Sequence, residues 1–534
     1  MKKILAISLF CLTALTAGAQ TMYDAINYAD NNYYGTARSA ALGNAMTAVG
    51  GDLGSVGINP AGAAVAGYSQ FTITPGLSIS STNSSYAPTV GGSFTGTTPD
   101  SQNRFIMPNF GFMMNVDTRR DYGLKNWTFG MTLNTTNVFN ERMSAGGVNN
   151  NSTMLGEMAY FASGIPGIDL VSGDNYDPYY DSDYAWPDIL AFQSGMIANS
   201  FGSEDQYIGA SEFQYDDGSI LSPAAPVNQS YFRQRTGSKA DAVINLAFNW
   251  NDKFYFGGNI GIVSLNYTEN TNKLESPVDK SKFGLVIDDV ETTWLSARQR
   301  YTLEAEGTGI YAKFGAIWLP VEGLRLGAAI KTPTVQTISQ RWMWDGLCNF
   351  DGIKSNVWET PVAEYSYKLV SPFNFNLGAA YTLGNRALLS VDWERTDFRS
   401  MRFRDEDAAF GVDSYSEDNQ YIRNNAGVTN NIRVGAEFKP SEAFALRAGY
   451  SYKNYAEKAA NVKDLTHTGS IGFGYSSPGS FFLDAAVRYT KCPDTWFYPY
   501  DDYQVSETGG LISPPEIGIA SRLMDVVLTL GWRF

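Results

Sequence analysis

The stretch MDVVLTLGWRF, residues 524–534, decides the fold of this chain. Met, Val, Leu, Leu, Trp and Phe occupy every second position, and Asp525 and Arg533 lie between them. Successive side chains of a β-strand point to opposite faces, so this pattern predicts a strand with one apolar and one polar face. An apolar, aromatic-ended face opposite a charged face is typical of a strand with lipid on one side and a polar lumen on the other.

The same alternation recurs from about Ser69 onward, and the links between the alternating segments differ regularly in length. Tight turns are predicted at 251–253, 320–323, 384–386, 440–442 and 477–480. Longer polar links are predicted near 81–103, 138–238, 270–293, 342–363, 405–427, 454–466 and 491–517. Because short turns and long loops alternate in this way in outer-membrane barrels, we expect an all-β fold, a transmembrane antiparallel β-barrel of about 14 strands.

Residues 1–19 predict a secretory signal peptide. Lys2 and Lys3 precede an apolar run that is too short to span a bilayer, and Ala17-Gly18-Ala19 is a small-residue cleavage site. Removal of the two lysines changes the formal net charge from −15 to −17. An exported, acidic barrel indicates the outer membrane of a Gram-negative cell, and its charge argues against nucleic acid as a partner.

Residues 35–62, GTARSAALGNAMTAVGGDLGSVGINPAG, are rich in Gly and Ala and almost uncharged. Small side chains let one backbone approach another closely. We therefore predict that residues 20–68 form a plug inside the barrel. Residues 69–534 would form the barrel wall and its long extracellular loops.

The plug sequence resembles the N-terminal hatch of the FadL/TodX family of outer-membrane transporters for hydrophobic compounds. The resemblance rests on Gly43-Asn44-Ala45, on residues 48–52 and above all on Asn59-Pro60-Ala61-Gly62. Residues 31–38, NNYYGTAR, are similar to the hatch of Bacteroidetes-type members. The architectural match covers the full length, whereas the specific motifs are confined to the hatch.

This resemblance implies passive transport of long-chain fatty acids or other hydrophobic compounds, without a cofactor. The ligand would be caught at the extracellular loops, held in the lumen and released sideways through the wall at a kinked third strand. Movement of the hatch would couple binding to opening. The hatch and gate residues implied are Gly43, Asp52, Asn59, Pro60 and Ala61.

The third strand is predicted at 127–133, with Gly130 as the candidate weak point of the wall. A glycine inside a strand often marks a bulge or a bend, and a lateral opening needs interrupted strand pairing. The alternative is that Gly130 only makes room for the hatch.

The longest predicted loop, about 138–238, contains two helix-like apolar segments, and Pro187 and Asp188 are suitable first residues for the second. Exposed apolar helices favour a groove that captures ligand, with methionine giving adaptable contacts. The candidate groove residues are Met154, Leu155, Met158, Phe161, Ile189, Phe192 and Met196. The alternative is that the two helices pack on each other as a cap.

Charged residues on the predicted inward faces favour a salt-bridge network that joins wall and plug. Its expected members are Arg325, Arg433, Arg447, Arg488, Arg533, Asp392, Glu437, Asp484 and Asp525. In the alternative interpretation, Arg447 or Arg488 receives the carboxylate of a ligand, which guanidinium geometry suits. The loop acids Asp174, Asp177, Asp181 and Asp183 fit no EF-hand spacing, so no metal site is predicted and a calcium site stays an alternative.

An enzyme is not expected. His467 is the single histidine of the sequence, and no G-x-S-x-G nucleophile motif accompanies it. Cys348 and Cys492 fall in predicted outer loops, and a disulfide between them is left open. Phe534 resembles the usual last residue of outer-membrane barrels, which implies the barrel-assembly machinery and outer-membrane lipid as partners.

A second hypothesis assigns the same fold to a non-transporting interaction or anchor protein, for example in protein secretion. Long aromatic, acidic loops suit a protein partner. A transporter would show an apolar path from the loop groove to an opening in the wall, whereas an anchor would show a sealed wall.

Overall fold

The computed structural model describes residues 21–287, 289–405, 415–458, 465–505 and 510–534. The predicted signal peptide and parts of the predicted loops 270–293, 405–427, 454–466 and 491–517 lie outside these residues. Within the described residues, no helix has the length and apolar character needed to cross a bilayer.

Alternating side chains build a closed barrel of 14 antiparallel strands, as predicted. The uninterrupted strands are β1 (Gln70–Ala87), β2 (Thr95–Asp117), β3 (Leu124–Asn149), β4 (Val227–Trp250), β5 (Phe254–Pro277) and β6 (Val290–Val321). Three strands have two segments: β7 (Leu324–Lys331 and Val335–Phe350), β8 (Ala363–Val370 and Asn374–Leu383) and β9 (Ala387–Asp397 and Arg402–Asp405). The last are β10 (Val428–Phe438), β11 (Phe444–Asn454), β12 (Leu465–Ser476), β13 (Phe481–Lys491) and β14 (Glu516–Arg533). β14 pairs with both β13 and β1, which closes the wall.

Seven helices accompany the wall in the described ranges. They are α1 (Met22–Ala29), α2 (Ala37–Ala41), α3 (Leu53–Val56), α4 (Met154–Ala162), α5 (Pro178–Asp181), α6 (Trp186–Gln193) and α7 (Ser416–Asn425). Single 3₁₀ turns lie at Pro60–Val65, Gly167–Leu170, Lys280–Lys282 and Phe398–Ser400. Short loop strands lie at Ile197–Asn199, Tyr207–Gly209, Phe213–Gln214, Ile220–Leu221, Gly284–Ile287, Trp358–Glu359 and Thr495–Phe497.

The predicted faces of β14 are confirmed. Val526 and Leu528 are exposed on the outer surface, whereas Asp525 and Thr529 are buried. The long and short links also alternate as predicted, but several strands continue beyond the predicted loop boundaries. The loop between β3 and β4 covers 150–226 rather than 138–238, because the β3–β4 ladder continues to Asn149↔Val227.

Residues 21–66, which we call the hatch, lie inside the barrel, and most of their small side chains are fully buried. Glycines of the wall make this close approach possible. A Cβ at Gly257 of β5 would lie 2.5 Å from the carbonyl carbon of Pro60. A Cβ at Gly43, in the hatch, would lie 3.0 Å from the backbone nitrogen of Tyr450 on β11.

Gly257 and its neighbour Gly258 provide a matched test of hatch packing. Valine at position 257 would collide with Pro60 and Ala61, and overpacking of this kind costs about 1–3 kcal/mol. We expect Gly257→Val to loosen the hatch, so that trypsin cleaves the folded barrel after Arg38. Cleavage is measured by mass spectrometry of the released peptide.

At Gly258 a Cβ would lie 3.7 Å from the ring of Phe314, which is ordinary contact on the outer face. Gly258→Val should therefore remain as resistant to trypsin as the wild type. Equal cleavage of the two variants would contradict the packing described for the hatch.

Candidate functional site

The Asn-Pro-Ala motif of the hatch joins three strands of the wall. The Asn59 side chain accepts a hydrogen bond from the Ala61 N–H at 3.1 Å and thereby caps the turn Pro60–Val65. Its amide nitrogen donates to the carbonyls of Thr47 at 2.6 Å, Ala316 at 3.2 Å and Ala328 at 3.4 Å. The latter two carbonyls belong to β6 and β7. Asn245 of β4 donates to the Pro60 carbonyl at 3.1 Å.

A second group of contacts fixes the hatch through charge. Arg38 of α2 pairs with Glu437 of β10 at 3.0 Å, and Arg447 pairs with the same carboxylate at 2.6 Å. Arg447 also pairs with Asp484 at 2.5 Å. Asp52 caps α3 by accepting from the Gly54 N–H at 2.8 Å and lies outside this chain of ion pairs. The bonds of Arg447 within the network therefore place it among the structural ion pairs of the wall.

Above the hatch lies a lumenal cavity of about 350 Å³. Arg488 and Arg433 line it, and both are already paired: Arg488 with Asp525 at 2.8 Å, and Arg433 with Glu394. Its other lining side chains mix amides and hydroxyls with apolar groups such as Val138, Phe139, Tyr267 and Leu523. The lumen is thus amphipathic, and of the two arginines proposed for a ligand carboxylate only Arg488 faces this cavity.

The ladder between β2 and β3 stops halfway up the wall. It runs from Asp117↔Asn126 to Asn109↔Asn134. Beyond this point β2 stays paired with β1 as far as Tyr86↔Thr95, and β3 stays paired with β4. Residues 95–108 and 135–149 thus lie on the two sides of a break in the wall, which we call the seam.

Local sequence explains where the seam begins. Pro108 of β2 has no N–H to donate to a neighbouring strand. The β1–β2 register shifts at this point, and Pro75 of β1 lies at the same shift. In β3 the register shifts between Thr135 and Asn137, a bulge of the kind that bends a strand. The upper part of β3 therefore bends inward and contacts β1, where the Thr82 hydroxyl donates to the Arg142 carbonyl at 2.6 Å.

The hatch holds β3 at this bend. The Tyr34 N–H donates to the Thr135 carbonyl at 3.1 Å, and the Asn32 N–H donates to the Thr136 carbonyl at 2.7 Å. Two carbonyls at the start of the seam are thus bonded to the hatch. Hatch residues 32–34 therefore contact β3 directly at its bend.

Side chains, rather than a backbone ladder, close the seam. Gln102 donates to the Asn140 side chain at 2.9 Å, and Gln234 donates to Gln102 at 2.6 Å. Ser144 donates to the Asp100 carboxylate at 3.0 Å. Each such bond contributes only about 0.5–1.5 kcal/mol.

Gly130 lies just below the seam. It pairs with Met113 of β2 and with Asn245 of β4, so both ladders are continuous at this residue. The bend of β3 lies at 135–137. The sequence prediction found the strand but selected the glycine instead of the Thr-Thr-Asn stretch that follows it.

On the extracellular side, α4 and α6 form as predicted and lie in loop 150–226, which we call the cap. Met154, Leu155, Met158, Ile189 and Met196 are buried together in the cap core. Phe161 is exposed at the edge of α4. The helices therefore pack on each other in this conformation.

Phe192 alone of the candidate groove residues lines an open cavity of about 660 Å³ beside the cap. Leu285, Cys348, Phe350 and Trp358 contribute to its apolar lining. This cavity lies between the cap, the loop segment 282–287 and the upper end of β7, so the sequence prediction missed most of its walls.

The remaining candidates have ordinary structural surroundings. Asp177 caps α5 by accepting from the Tyr179 N–H at 3.1 Å, and Asp181 accepts from the Asp177 N–H at 2.8 Å. Among the described residues, no group of three or more His, Cys, Asp or Glu could hold a metal ion. His467 hydrogen-bonds to the Tyr450 hydroxyl at 2.7 Å. Cys348 and Cys492 are free thiols.

Comparison with known proteins supports the fold. A FadL homologue of Pseudomonas aeruginosa superposes with a TM-score of 0.50 at 13% identity, covering 94% of this chain and 98% of that chain. The toluene transporter TodX of P. putida gives 0.47 at 13% identity, covering 94% and 99%. No protein-family model and no curated protein matches. The resemblance predicted from the hatch sequence is thus confirmed at the level of the fold.

Three partly buried carboxyl groups in the cap are expected to make its stability depend on pH. Burial raises the pKa of Glu157, of Asp188 and of Glu212 to about 7. In an unfolded loop these groups have a pKa of about 4. Between these pH values the folded cap binds more protons than the unfolded cap, so its stability falls as the pH rises from about 4 to about 7.

We therefore expect amide hydrogen exchange in residues 150–226, corrected for the intrinsic rate, to be less protected at about pH 8 than at about pH 5.5, by on the order of 2 kcal/mol. The matched variant Glu157→Gln/Glu212→Gln stays neutral at these positions and should keep most of its protection at the higher pH. An equal loss in wild type and variant would assign the effect to other groups.

Proposed function

We propose that this protein is a passive outer-membrane transporter of long-chain fatty acids or other hydrophobic compounds. In this proposal the hatch blocks the axial route to the periplasm, and the ligand leaves the lumen sideways through the seam. No cofactor is required.

The observation that carries the proposal is the end of the β2–β3 ladder at Asn109↔Asn134. Beyond this point both strands continue, as residues 95–108 of β2 and 135–149 of β3, without pairing to each other. The seam lies beside the lumenal cavity, because Asn137, Val138 and Phe139 of the bent part of β3 line that cavity. Movement of β3 would join the lumen to the outside of the wall.

The hatch supplies the coupling in this proposal. Its N–H groups at Asn32 and Tyr34 bond to the β3 bend, and Tyr33 and Tyr34 line the lumenal cavity. A ligand that enters the cavity would therefore contact Asn32 and Tyr34, the two residues that hold β3. Its contacts therefore bias the position of β3 only to the extent that they differ between the closed and open arrangements.

The cavity of about 660 Å³ beside the cap suits the first, extracellular binding step, since apolar and aromatic side chains line it and it is open to solvent. The buried groove residues Met154, Leu155, Met158, Ile189 and Met196 could contribute only after α4 and α6 separate. Phe192 links the two regions, because it lines the cavity and packs against the cap core.

The same geometry bears on the anchor hypothesis. A sealed wall was the feature expected of a non-transporting protein, and the seam favours transport instead. The lumen, however, has no continuous apolar path among its described residues, because polar side chains interrupt its apolar lining. This mixed lining favours an amphiphilic ligand over a plain hydrocarbon.

Filling the seam tests the proposal. Ser101 and Thr236 line its outer side, on β2 and β4. We expect Ser101→Trp/Thr236→Trp to reduce uptake of labelled oleate to the level of cells without the barrel, because two indole rings would obstruct the exit. Folding of each variant is checked by its heat-modifiable mobility on a gel.

Thr268→Trp is the matched control, since Thr268 is the cross-strand partner of Thr236 on β5 and lies one strand further from the seam. It should transport oleate like the wild type. Normal uptake of oleate by the Ser101→Trp/Thr236→Trp variant would exclude lateral exit through the seam. A wild type that folds but takes up no oleate would favour the anchor hypothesis.

A further inference from the structure

Outside the bent part of β3, between β2 and β4, lies an open notch of about 420 Å³. All of the side chains that line it are polar: Ser101, Gln102, Asn103, Arg104, Arg142, Gln234 and Thr236. An entirely polar recess is unusual on the outer wall of a barrel, whose lipid-facing positions are apolar.

The notch lies at the upper edge of the apolar surface. Phe105, next to Arg104, is 67% exposed, and Leu133 of β3 and Leu77 of β1 are also exposed. On β4 and β5 the outward residues change from Ile244 and Ile262 below to Ser238 and Asn266 above. This change marks the boundary between lipid tails and headgroups, so the notch is at the height of the headgroups of the outer leaflet.

Arg104 gives the notch its charge. Its guanidinium donates one hydrogen bond, to the Phe139 carbonyl at 3.2 Å, and forms no ion pair within the described part of the chain. Arg142 pairs with Asp100 at 3.2 Å, and its side chain remains 47% exposed. The nearby Arg233 and Arg235 are paired with Glu141 and Glu269.

We propose that this notch binds the anionic headgroup, a phosphate or carboxylate, of a lipid-like amphiphile in the outer leaflet. Two guanidinium groups and the amide of Asn103 offer the donors that such oxyanions accept, and arginine suits their planar or bidentate recognition. The alkyl chain would lie below, on Phe105 and Leu133. The site is formed by the wall and does not depend on transport.

The test is native mass spectrometry of the full-length barrel in a neutral detergent, titrated with dodecyl phosphate. The wild type should bind one molecule with high occupancy. Arg104→Gln/Arg142→Gln should weaken this binding by about tenfold for each guanidinium removed. Dodecyl maltoside, which has a neutral headgroup, should bind wild type and variant equally.

Arg341→Gln is the matched control, because Arg341 is an exposed arginine with one exposed acidic partner on another part of the wall. It should bind dodecyl phosphate like the wild type. Unchanged binding in the double variant would overturn the proposal. Displacement of dodecyl phosphate by an equal concentration of inorganic phosphate would also overturn it, since the site would then take a free ion instead of a lipid.

Discussion

The arrangement of this barrel depends on two hydrogen bonds that the hatch makes with one bent strand. Asn32 and Tyr34 donate to the Thr136 and Thr135 carbonyls, at the point where the β2–β3 ladder ends. A buried carbonyl without a partner costs about 1–3 kcal/mol, and the hatch offsets this cost at the two carbonyls where β3 leaves β2. The seam and the hatch are therefore one structural unit.

The rest of the hatch is fixed by close packing and by charge. Wall glycines such as Gly257 let the Pro60 backbone approach, and Asn59 joins the hatch to β6 and β7. Arg38, Glu437, Arg447 and Asp484 form a continuous chain of ion pairs below the lumenal cavity. These contacts fix the hatch to the lower wall on several sides.

The sequence predicts the fold well because a barrel strand has one repeating requirement, lipid outside and polar groups inside, that alternation records directly. The hatch motif is equally local, and α4 and α6 are found at their predicted positions. The position of the seam is less predictable from the sequence, because it depends on contacts between segments that are far apart in the chain. Gly130 was a reasonable candidate bend, yet Pro75 and Pro108, which lie side by side where the seam begins, were the informative residues. Their proximity becomes visible only when the strand register is known.

The central claim is that the lumen communicates with the lipid through the seam and not through the hatch. Locating brominated oleate in the protein by anomalous X-ray diffraction tests it most directly. Our account predicts bromine density between β2 and β3, beside the 135–142 segment, with the hatch still in contact with β6 and β7. Density on the barrel axis below Asn59, with the hatch displaced and the seam unchanged, would contradict it.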